Sequence, residues 1–249
     1  MRSADRPIQR VDVLGVPVDA VDMEAALRAA DRAAQGSRPP FRILAVNPEK
    51  VWALRRGALP REPFSTSELL IPDGIGVVWA VRLLYGIRIS RVAGADLMQE
   101  LCSLAATRGY SVFLFGATEE VNREAARILE QRYPGLRIAG RRNGYFEGDG
   151  SDIVNEINAC GANILFVALG SPKQERWIFR NAPRLSVSVI QGVGGTLDTI
   201  SGRVRRAPVI FQRMHLEWLY RLIIDPRRIR RQIVLPAFAW KVLIEWLRR

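Results

Sequence analysis

Asp73 is a lone carboxylate that stands between an apolar run and an apolar helical pattern. The run at residues 69–71 ends at Pro72, and the helical pattern begins at Val77. In an open α/β sheet, ligands bind outside the carboxyl ends of the strands, so an acid in this position suits a catalytic base. The alternative is that Asp73 only caps the helix that follows it. Position along the chain leaves both interpretations open.

Glycines recur where predicted strands end, at positions where backbone N–H groups can approach an anion closely. None of them completes a phosphate-binding motif. The segment GVGGTLD has Leu197 where the dinucleotide fingerprint needs a glycine, and no glycine-rich loop ends in Lys-Ser or Lys-Thr. Conventional NAD and ATP sites are therefore disfavoured, and a tight turn is the alternative role of each glycine. These glycines are Gly116, Gly170, Gly192, Gly194 and Gly195.

Charged side chains crowd the predicted start of a helix in ALGSPKQERWI (168–178). Cations at a helix N-terminus oppose the helix dipole. Lys173 and Arg176 therefore indicate a nearby anion, exposure to water, or pairing with Glu175. Arg91 stands just before another predicted helix start, where it could meet a phosphate.

The sequence offers little for metal or nucleophilic chemistry. No two aspartates are separated by a single residue, so a divalent metal held by an Asp-x-Asp pair is not indicated. The one histidine, His215, lies in the basic tail and cannot complete a Ser-His-Asp or Cys-His arrangement. Cys102 and Cys160 give no disulfide framework and are expected to be reduced thiols. We expect neither a resident metal nor a cofactor.

Near-continuous apolar segments alternate with helical patterns, which predicts a mostly parallel sheet covered on both faces. The predicted fold is α/β and Rossmann-like, with an N-terminal β-hairpin around Gly15 and a C-terminal helical, basic appendage. We expect a core over residues 1–202 and the appendage over 203–249. A short strand is predicted before Asp73; the other predicted strands cover 41–46, 110–116, 136–140, 163–170 and 186–195, and the helices cover 23–34, 48–55, 77–85, 95–108, 118–132, 151–160 and 172–182.

The net charge of +12 is concentrated in residues 203–249, which carry twelve Arg or Lys against three acids. A basic excess suits anionic lipid, nucleic acid or phosphate-bearing substrates. Two amphipathic patterns with tryptophans flank DPRRIRRQ (225–232), as in an interfacial membrane anchor. The alternative is that these helices pack on the core. The predicted polar stripes are Arg213, Glu217 and Arg221, and then Lys241, Glu245 and Arg248 beside an apolar face of Phe238, Trp240, Leu243, Trp246 and Leu247.

The first residues, MRSADRPIQRVDV, lack the apolar segment of a signal peptide, and no uncharged apolar run reaches the ~18 residues that span a bilayer. We expect a cytoplasmic, non-spanning chain. A non-enzymatic nucleic-acid binder would explain the basic tail, but it would not explain the acid and glycines at strand ends, and no groove-reading motif is present. Another nucleotide-using α/β enzyme, such as an oxidoreductase, is disfavoured by the broken glycine fingerprint.

Seven segments, taken in order, resemble the WecG/TagA/CpsF family of bacterial glycosyltransferases over roughly residues 8–215. They are Asn47-Pro48-Glu49, IPDGIGVVWA (71–80), RVAGADLM (91–98), FLFG (113–116), NGYF (143–146), LGSPKQERW (169–177) and QGVGGTLD (191–198).

The resemblance implies an inverting, metal-independent transferase that moves a hexose, N-acetylmannosamine-type or related, from a UDP-sugar. The implied acceptor is a sugar linked to polyprenyl diphosphate at the cytoplasmic face of the membrane, in the synthesis of cell-surface polysaccharide such as wall teichoic acid. The implied partners are the donor, the acceptor and an anionic membrane surface, with no nucleic acid. Apolar tail surfaces also allow a homo-oligomer. The protein is then peripheral on the inner face of the cell membrane.

The resemblance also implies roles for individual residues. Asp73 matches the general base of the family. Ala45 stands where family members often have Thr, so a hydroxyl contact assigned there is lost. The implied substrate-binding residues are Asn47, Arg91 and Gln174, and, for the acceptor diphosphate, Arg205, Arg206, Arg213 and Arg221. The implied nucleotide-binding residues are Gly116, Phe146, Gly170, Gln191, Gly192, Gly194 and Asp198.

Overall fold

A six-stranded parallel sheet with helices on both faces forms the body of the protein, and a two-stranded antiparallel hairpin precedes it. The computed structural model describes residues 8–36, 38–205, 207–208, 211, 217–224 and 229–249. Arg206 and Arg213 lie outside the described residues, and so does the side chain of Arg221. The predicted α/β fold, parallel sheet and N-terminal hairpin are confirmed.

The elements follow the predicted alternation. The strands are β1 Arg10–Asp12, β2 Pro17–Asp19, β3 Phe41–Val46, β4 Leu69–Pro72, β5 Ser111–Gly116, β6 Arg137–Arg142, β7 Ile164–Ala168 and β8 Val189–Gly192. The helices are α1 Met23–Ala34, α2 Pro48–Arg55, α3 Glu62–Thr66, α4 Ile75–Tyr85, α5 Gly94–Arg108, α6 Glu119–Arg132, α7 Ser151–Ala159, α8 Lys173–Asn181, α9 Thr196–Ile200, α10 Glu217–Ile224, α11 Ile229–Gln232 and α12 Val234–Leu247.

Two hydrophobic cores lie on opposite faces of the sheet because successive strand residues point to opposite sides. In β3, Leu44 and Val46 enter the core that α2, α4, α7 and α8 cover. Ile43 and Ala45 enter the core that α1, α5, α6 and α9 cover. Both faces of the sheet are therefore buried, which explains the near-continuous apolar strands.

The strand order β4-β3-β8-β7-β5-β6 sets where a ligand crevice opens. After β5 the chain crosses outward to β6, whereas after β7 it crosses in the other direction to β8. Neighbouring strands whose connections leave in opposite directions form a crevice at their carboxyl ends. In this sheet the crevice lies between β5 and β7.

Some predicted boundaries were wrong. Helix α4 begins at Ile75 rather than at Val77, because Gly74, with φ of +130°, is the N-cap of α4 and lies just after β4. The predicted strand at 186–195 is reduced to β8, because the chain turns at Gly194, with φ of +57°, before α9. The predicted Pro-containing loop at 57–64 leads into the short helix α3.

The backbones of β5 and β7 approach closely at Gly116. Its φ is +126°, and a Cβ added there would lie 2.3 Å from the Ala168 carbonyl oxygen. We expect Gly116→Ala to lower the free energy of unfolding by at least about 3 kcal/mol, because overpacking and an unfavourable φ act together. Gly109→Ala is the control, since Gly109 has φ of +74° with no atom within 4 Å of an added Cβ, and should lose about 1 kcal/mol. Urea denaturation measures both; equal losses would contradict the steric explanation.

Helix α12 packs on α2 and α4 and adds Phe238 and Val242 to the core on that face. Trp240 and Leu247 point away from the core, with 62% and 70% of their surface exposed. The prediction that Phe238 and Trp240 share one apolar face was therefore wrong, because α12 carries apolar residues on two faces. No helix in the described part of the chain is both long and apolar enough to cross a bilayer.

Candidate active site

Asp73 follows β4 directly and is held between two neighbouring elements. Its backbone N–H donates to the Val46 carbonyl at 2.9 Å, which ties it to β3. Its Oδ2 accepts from the Gly94 N–H, 3.3 Å away, at the start of α5. Helix α4 has no side-chain capping bond at its N-terminus. The alternative that Asp73 only caps the helix that follows it was therefore wrong.

Arg91 lies between two carboxylates. Its Nε is 3.6 Å from Asp73 Oδ1, and its Nη2 donates to Glu217 Oε2 at 2.6 Å. Glu217 is 7% exposed, so its predicted place in a solvent-facing polar stripe of α10 was wrong. The ion pair with the partly buried Arg91 explains why Glu217 is withdrawn from water. Arg91 therefore lies next to Asp73, and its predicted contact with a phosphate stays a prediction.

The Asp73 carboxyl titrates in an enclosed and charged environment. Burial raises its pKa above the ordinary value, although Arg91, the Gly94 N–H and Lys50 each act to lower it, and Glu217 adds to the rise. A carboxylate with a raised pKa holds an abstracted proton more strongly than an ordinary aspartate. About a quarter of its side-chain surface stays accessible, 28%, so a substrate hydroxyl can reach it.

Gly94, the first residue of α5, lies close to the carboxyl-terminal parts of three strands, β3, β4 and β8. A Cβ added there would lie 3.7 Å from Asp73 Oδ2, 3.8 Å from Ala45 Cβ and 3.9 Å from Gln191 Nε2. Gln191 is fully buried, and its Nε2 donates to the Gly94 carbonyl at 2.8 Å. Gln191 thus lies beside the carboxylate and supports the backbone that binds it. Ala45, the position of the missing hydroxyl, faces the same space.

Asn47 connects β3 to α2 next to this space. Its Oδ1 caps α2 by accepting from the Lys50 N–H at 2.9 Å. Its Cβ would lie 3.5 Å from a Cβ on Gly74, the residue after Asp73. Because Oδ1 is engaged in the cap, a sugar hydroxyl predicted to bind Asn47 would meet its amide Nδ2.

Gln174 supports the turn that follows β8. It is 3% exposed; its Oε1 accepts from the Gly194 N–H at 2.9 Å, and its Nε2 donates to Glu175 Oε1 at 3.2 Å. A Cβ on Gly192 would lie 3.0 Å from Gln174 Nε2, so glycine is needed for this approach. Gln174 therefore acts on the glycine turn from beneath, and its predicted contact with substrate stays a prediction.

Glu175 pairs with Lys50, a residue that the sequence reasoning missed. The Lys50 Nζ lies 2.9 Å from Glu175 Oε1, whose side chain is completely buried. Of the three alternatives for Lys173 and Arg176, the structure shows exposure to water, and the alternative of pairing with Glu175 was wrong. The sequence does place Lys50 close to Asn47, since Lys50 is the third residue of helix α2, which Asn47 caps.

The predicted nucleotide-binding glycines divide between two strand ends. Gly116 and Gly170 lie at the β5–β7 crevice, whereas Gly192 ends β8 and Gly194 follows it. At the crevice Ala117 has φ of +58°, and its N–H donates to the Ala168 carbonyl at 3.1 Å. A strained non-glycine residue of this kind is frequent at ligand sites.

Three further predicted residues lie around these turns. Phe146 is half-buried and packs on Phe115, with ring centroids 5.7 Å apart, so it supports the wall of the crevice. Asp198 is half-buried in the first turn of α9. Arg205 is exposed in the segment after α9. Their contacts with nucleotide or acceptor stay predictions.

Two cations, Arg91 and Lys50, and the Gly94 N–H act on the Asp73 carboxylate. Among the described residues, no three His, Cys, Asp or Glu side chains are grouped so that they could hold a metal ion. The positive charge next to Asp73 comes from Arg91 and Lys50. The arrangement can accept a proton at Asp73 and stabilise negative charge at the Arg91 guanidinium.

Comparison with known proteins shows the family to which the chain belongs. The sequence model described as "Glycosyl transferase WecG/TagA/CpsF family" matches residues 11–249. The N-acetylglucosaminyldiphosphoundecaprenol N-acetyl-beta-D-mannosaminyltransferase of Staphylococcus aureus (strain MRSA252) is 34% identical over 235 residues, covering 94% of this chain and 92% of the relative. The Bacillus subtilis (strain 168) protein of the same name is 37% identical over 203 residues, 82% and 79% of the two chains. The chain therefore belongs to the WecG/TagA/CpsF family and is a glycosyltransferase.

Proposed function

We propose that this protein transfers an N-acetylmannosamine-type hexosyl group from a UDP-sugar to a sugar linked to polyprenyl diphosphate, with inversion at the anomeric carbon. The relatives from Staphylococcus and Bacillus are named as N-acetylmannosaminyltransferases of N-acetylglucosaminyldiphosphoundecaprenol. The observation that carries the proposal is the 3.6 Å approach of Asp73 to Arg91 at the carboxyl ends of the strands. It brings one base and one cation to the place where a sugar diphosphate would bind.

The proposed transfer is a single displacement. Asp73 removes the proton of the acceptor hydroxyl while that oxygen attacks the anomeric carbon of the donor. The bond between this carbon and the diphosphate oxygen breaks, and its electron pair leaves with UDP. Arg91 stabilises the charge that develops on the leaving group. Glu217 holds the guanidinium in place through its 2.6 Å contact.

We infer that residues 203–249 form an appendage that docks on an anionic membrane. Ile233, Trp240 and Leu247 recur at seven-residue spacing, so they share one face of α12. They are 69%, 62% and 70% exposed, and the face opposite them is docked on the core. An outward apolar face beside a basic segment suits an interfacial helix. We place the protein on the inner face of the membrane, in contact with the cytoplasm, and assign it no nucleic-acid partner.

A transfer assay tests the proposed function. Purified protein is incubated with radiolabelled UDP-sugars, including UDP-N-acetylmannosamine, and with polyprenyl-diphosphate N-acetylglucosamine; the lipid product is counted. We expect transfer from the N-acetylmannosamine-type donor and undiminished transfer after EDTA treatment. Absence of transfer from every donor would overturn the proposal. Loss of activity with EDTA that magnesium restores would overturn its metal-independent form.

The pH dependence of the reaction follows from the state of Asp73. The base acts only when it is ionised, and burial raises the pKa of its carboxyl. We therefore expect kcat/KM to fall with decreasing pH through a pKa above the ordinary aspartate value of about 3.9. UDP binding measured at the same pH values is the control, because it separates proton abstraction from donor affinity. A value of kcat/KM that stays constant down to about pH 4 would contradict this assignment.

A further inference from the structure

A chain of polar contacts runs beneath the strand ends and connects two parts of the site. The Lys50 Nζ donates to the Ala45 carbonyl at 2.9 Å and pairs with Glu175 Oε1 at 2.9 Å. Glu175 Oε1 accepts from Gln174, and Gln174 Oε1 accepts from the Gly194 N–H. We call these residues, Lys50, Glu175, Gln174 and Gly194, the strand-end network.

We propose that Lys50 is a positioning residue of the transfer site: through Glu175 and Gln174 it fixes the Gly194 amide, and its ammonium, bound to the Ala45 carbonyl, supplies positive charge to the site of the Asp73 carboxylate. The inference rests on the proposed function, because it assigns the network to the transfer reaction. Lys50 itself does not bind the reacting atoms.

Burial is the first reason for assigning Lys50 this role. The Glu175 side chain is completely buried, and the Lys50 side chain is 12% exposed. Removing two charged groups from water is costly, and replacing such a pair by apolar residues often stabilises a protein. Within the described residues, Glu175 Oε2 also has no hydrogen-bond partner. Stability alone therefore does not explain the Lys50–Glu175 pair, which favours a role for the pair in the transfer site.

Geometry is the second reason. Lys50 binds the carbonyl of Ala45, whose Cβ faces Gly94 together with the Asp73 carboxylate. The ammonium therefore holds the β3 backbone that lines this space. The charged groups that act on Asp73 are Arg91 before α5, Glu217 on α10 and Lys50 on α2, and Lys50 lowers the pKa of the carboxyl.

Two variants that change the charge near Asp73 in opposite directions test the role of Lys50. The double variant Lys50→Met/Glu175→Gln removes both charges, so no unpaired buried charge remains. We expect its acid limb of kcat/KM to move to higher pH by on the order of 0.5–1 unit, because Asp73 loses a nearby cation. Glu175→Gln alone leaves the ammonium uncompensated, so we expect the limb to move to lower pH. Lys50→Arg keeps the charge and should restore the wild-type limb.

A measurement that does not depend on activity separates the role of Lys50 from the proposed function. The Asp73 carboxyl is titrated by 13C NMR in the free enzyme, and its signal is identified by its loss in Asp73→Asn. We expect the same opposite shifts in this titration, while circular dichroism and urea denaturation confirm that each variant folds. A wild-type enzyme that transfers no sugar would overturn the proposed function, and the titration would still decide the role of Lys50.

Variants that leave the titration of Asp73 unchanged would overturn the inference. A structural role alone would lower the rate of every variant by a similar factor without moving the acid limb. Variants whose limb and carboxyl titration coincide with those of the wild type would therefore remove Lys50 from the site. Opposite shifts of the two charge variants, together with rescue by Lys50→Arg, would support it.

Discussion

Asp73→Asn is expected to lower kcat by about 10²–10⁴-fold, the usual contribution of a general base. Asparagine has nearly the same shape, so its Oδ1 can still accept from the Gly94 N–H at the position of the present 3.3 Å contact. It cannot take the proton of the acceptor hydroxyl. Donor binding should persist, because the strand-end amides and Arg91 are unchanged.

Steady-state transfer and calorimetric titration with UDP measure these two effects separately. Asp152→Asn is the matched control: Asp152 is a surface acid on α7 that pairs with Arg142, and its replacement should leave kcat unchanged. Wild-type turnover by Asp73→Asn would remove the base from the mechanism. Loss of UDP binding together with turnover would assign Asp73 to donor binding instead.

The triple variant Ile233→Ser/Trp240→Ser/Leu247→Ser is expected to weaken binding to anionic vesicles by roughly 10³-fold. Each side chain is more than 60% exposed, so burial in the interface contributes about 1.4 kcal/mol per residue. The fold should be unaffected, because the docked residues Phe238 and Val242 are retained.

Vesicle sedimentation with phosphatidylglycerol membranes measures this loss. Phe179→Ser is the control, because Phe179 is an exposed aromatic residue on α8, outside the appendage, with 38% of its surface exposed. Unchanged vesicle binding of the triple variant would contradict the membrane orientation. A wild-type dimer that the variant converts to a monomer, without any effect on vesicles, would instead assign the face to contact between two copies.

The sequence predicted the elements that follow from local patterns. The apolar strands and their alternation with helices depend on neighbouring residues, and the structure reproduces them. The approach of Arg91 to Asp73 was also predictable in outline, because the carboxyl ends of parallel strands meet at one edge.

The partners of buried charges were not predictable in this way. Glu217 reaches Arg91 from 126 residues away, and Glu175 chooses Lys50 over the cations beside it in sequence. Local charge patterns favour i,i+4 pairs, whereas tertiary packing decides which acid is withdrawn from water. The two apolar faces of α12, one buried and one exposed, were missed for the same reason, since one helical pattern cannot tell two apolar faces apart.

In the proposed membrane orientation, the position of α12 sets the height of Asp73, the proposed base, above the lipid. The Phe238 ring lies 3.7 Å from a Cβ added to Gly76, three residues after Asp73, while Trp240 points outward from the same helix. A helix with its side chains is about 10–12 Å across. In the proposed orientation, the acceptor sugar therefore meets Asp73 about one helix diameter from the headgroups, so its polyprenyl chain stays within the bilayer during transfer.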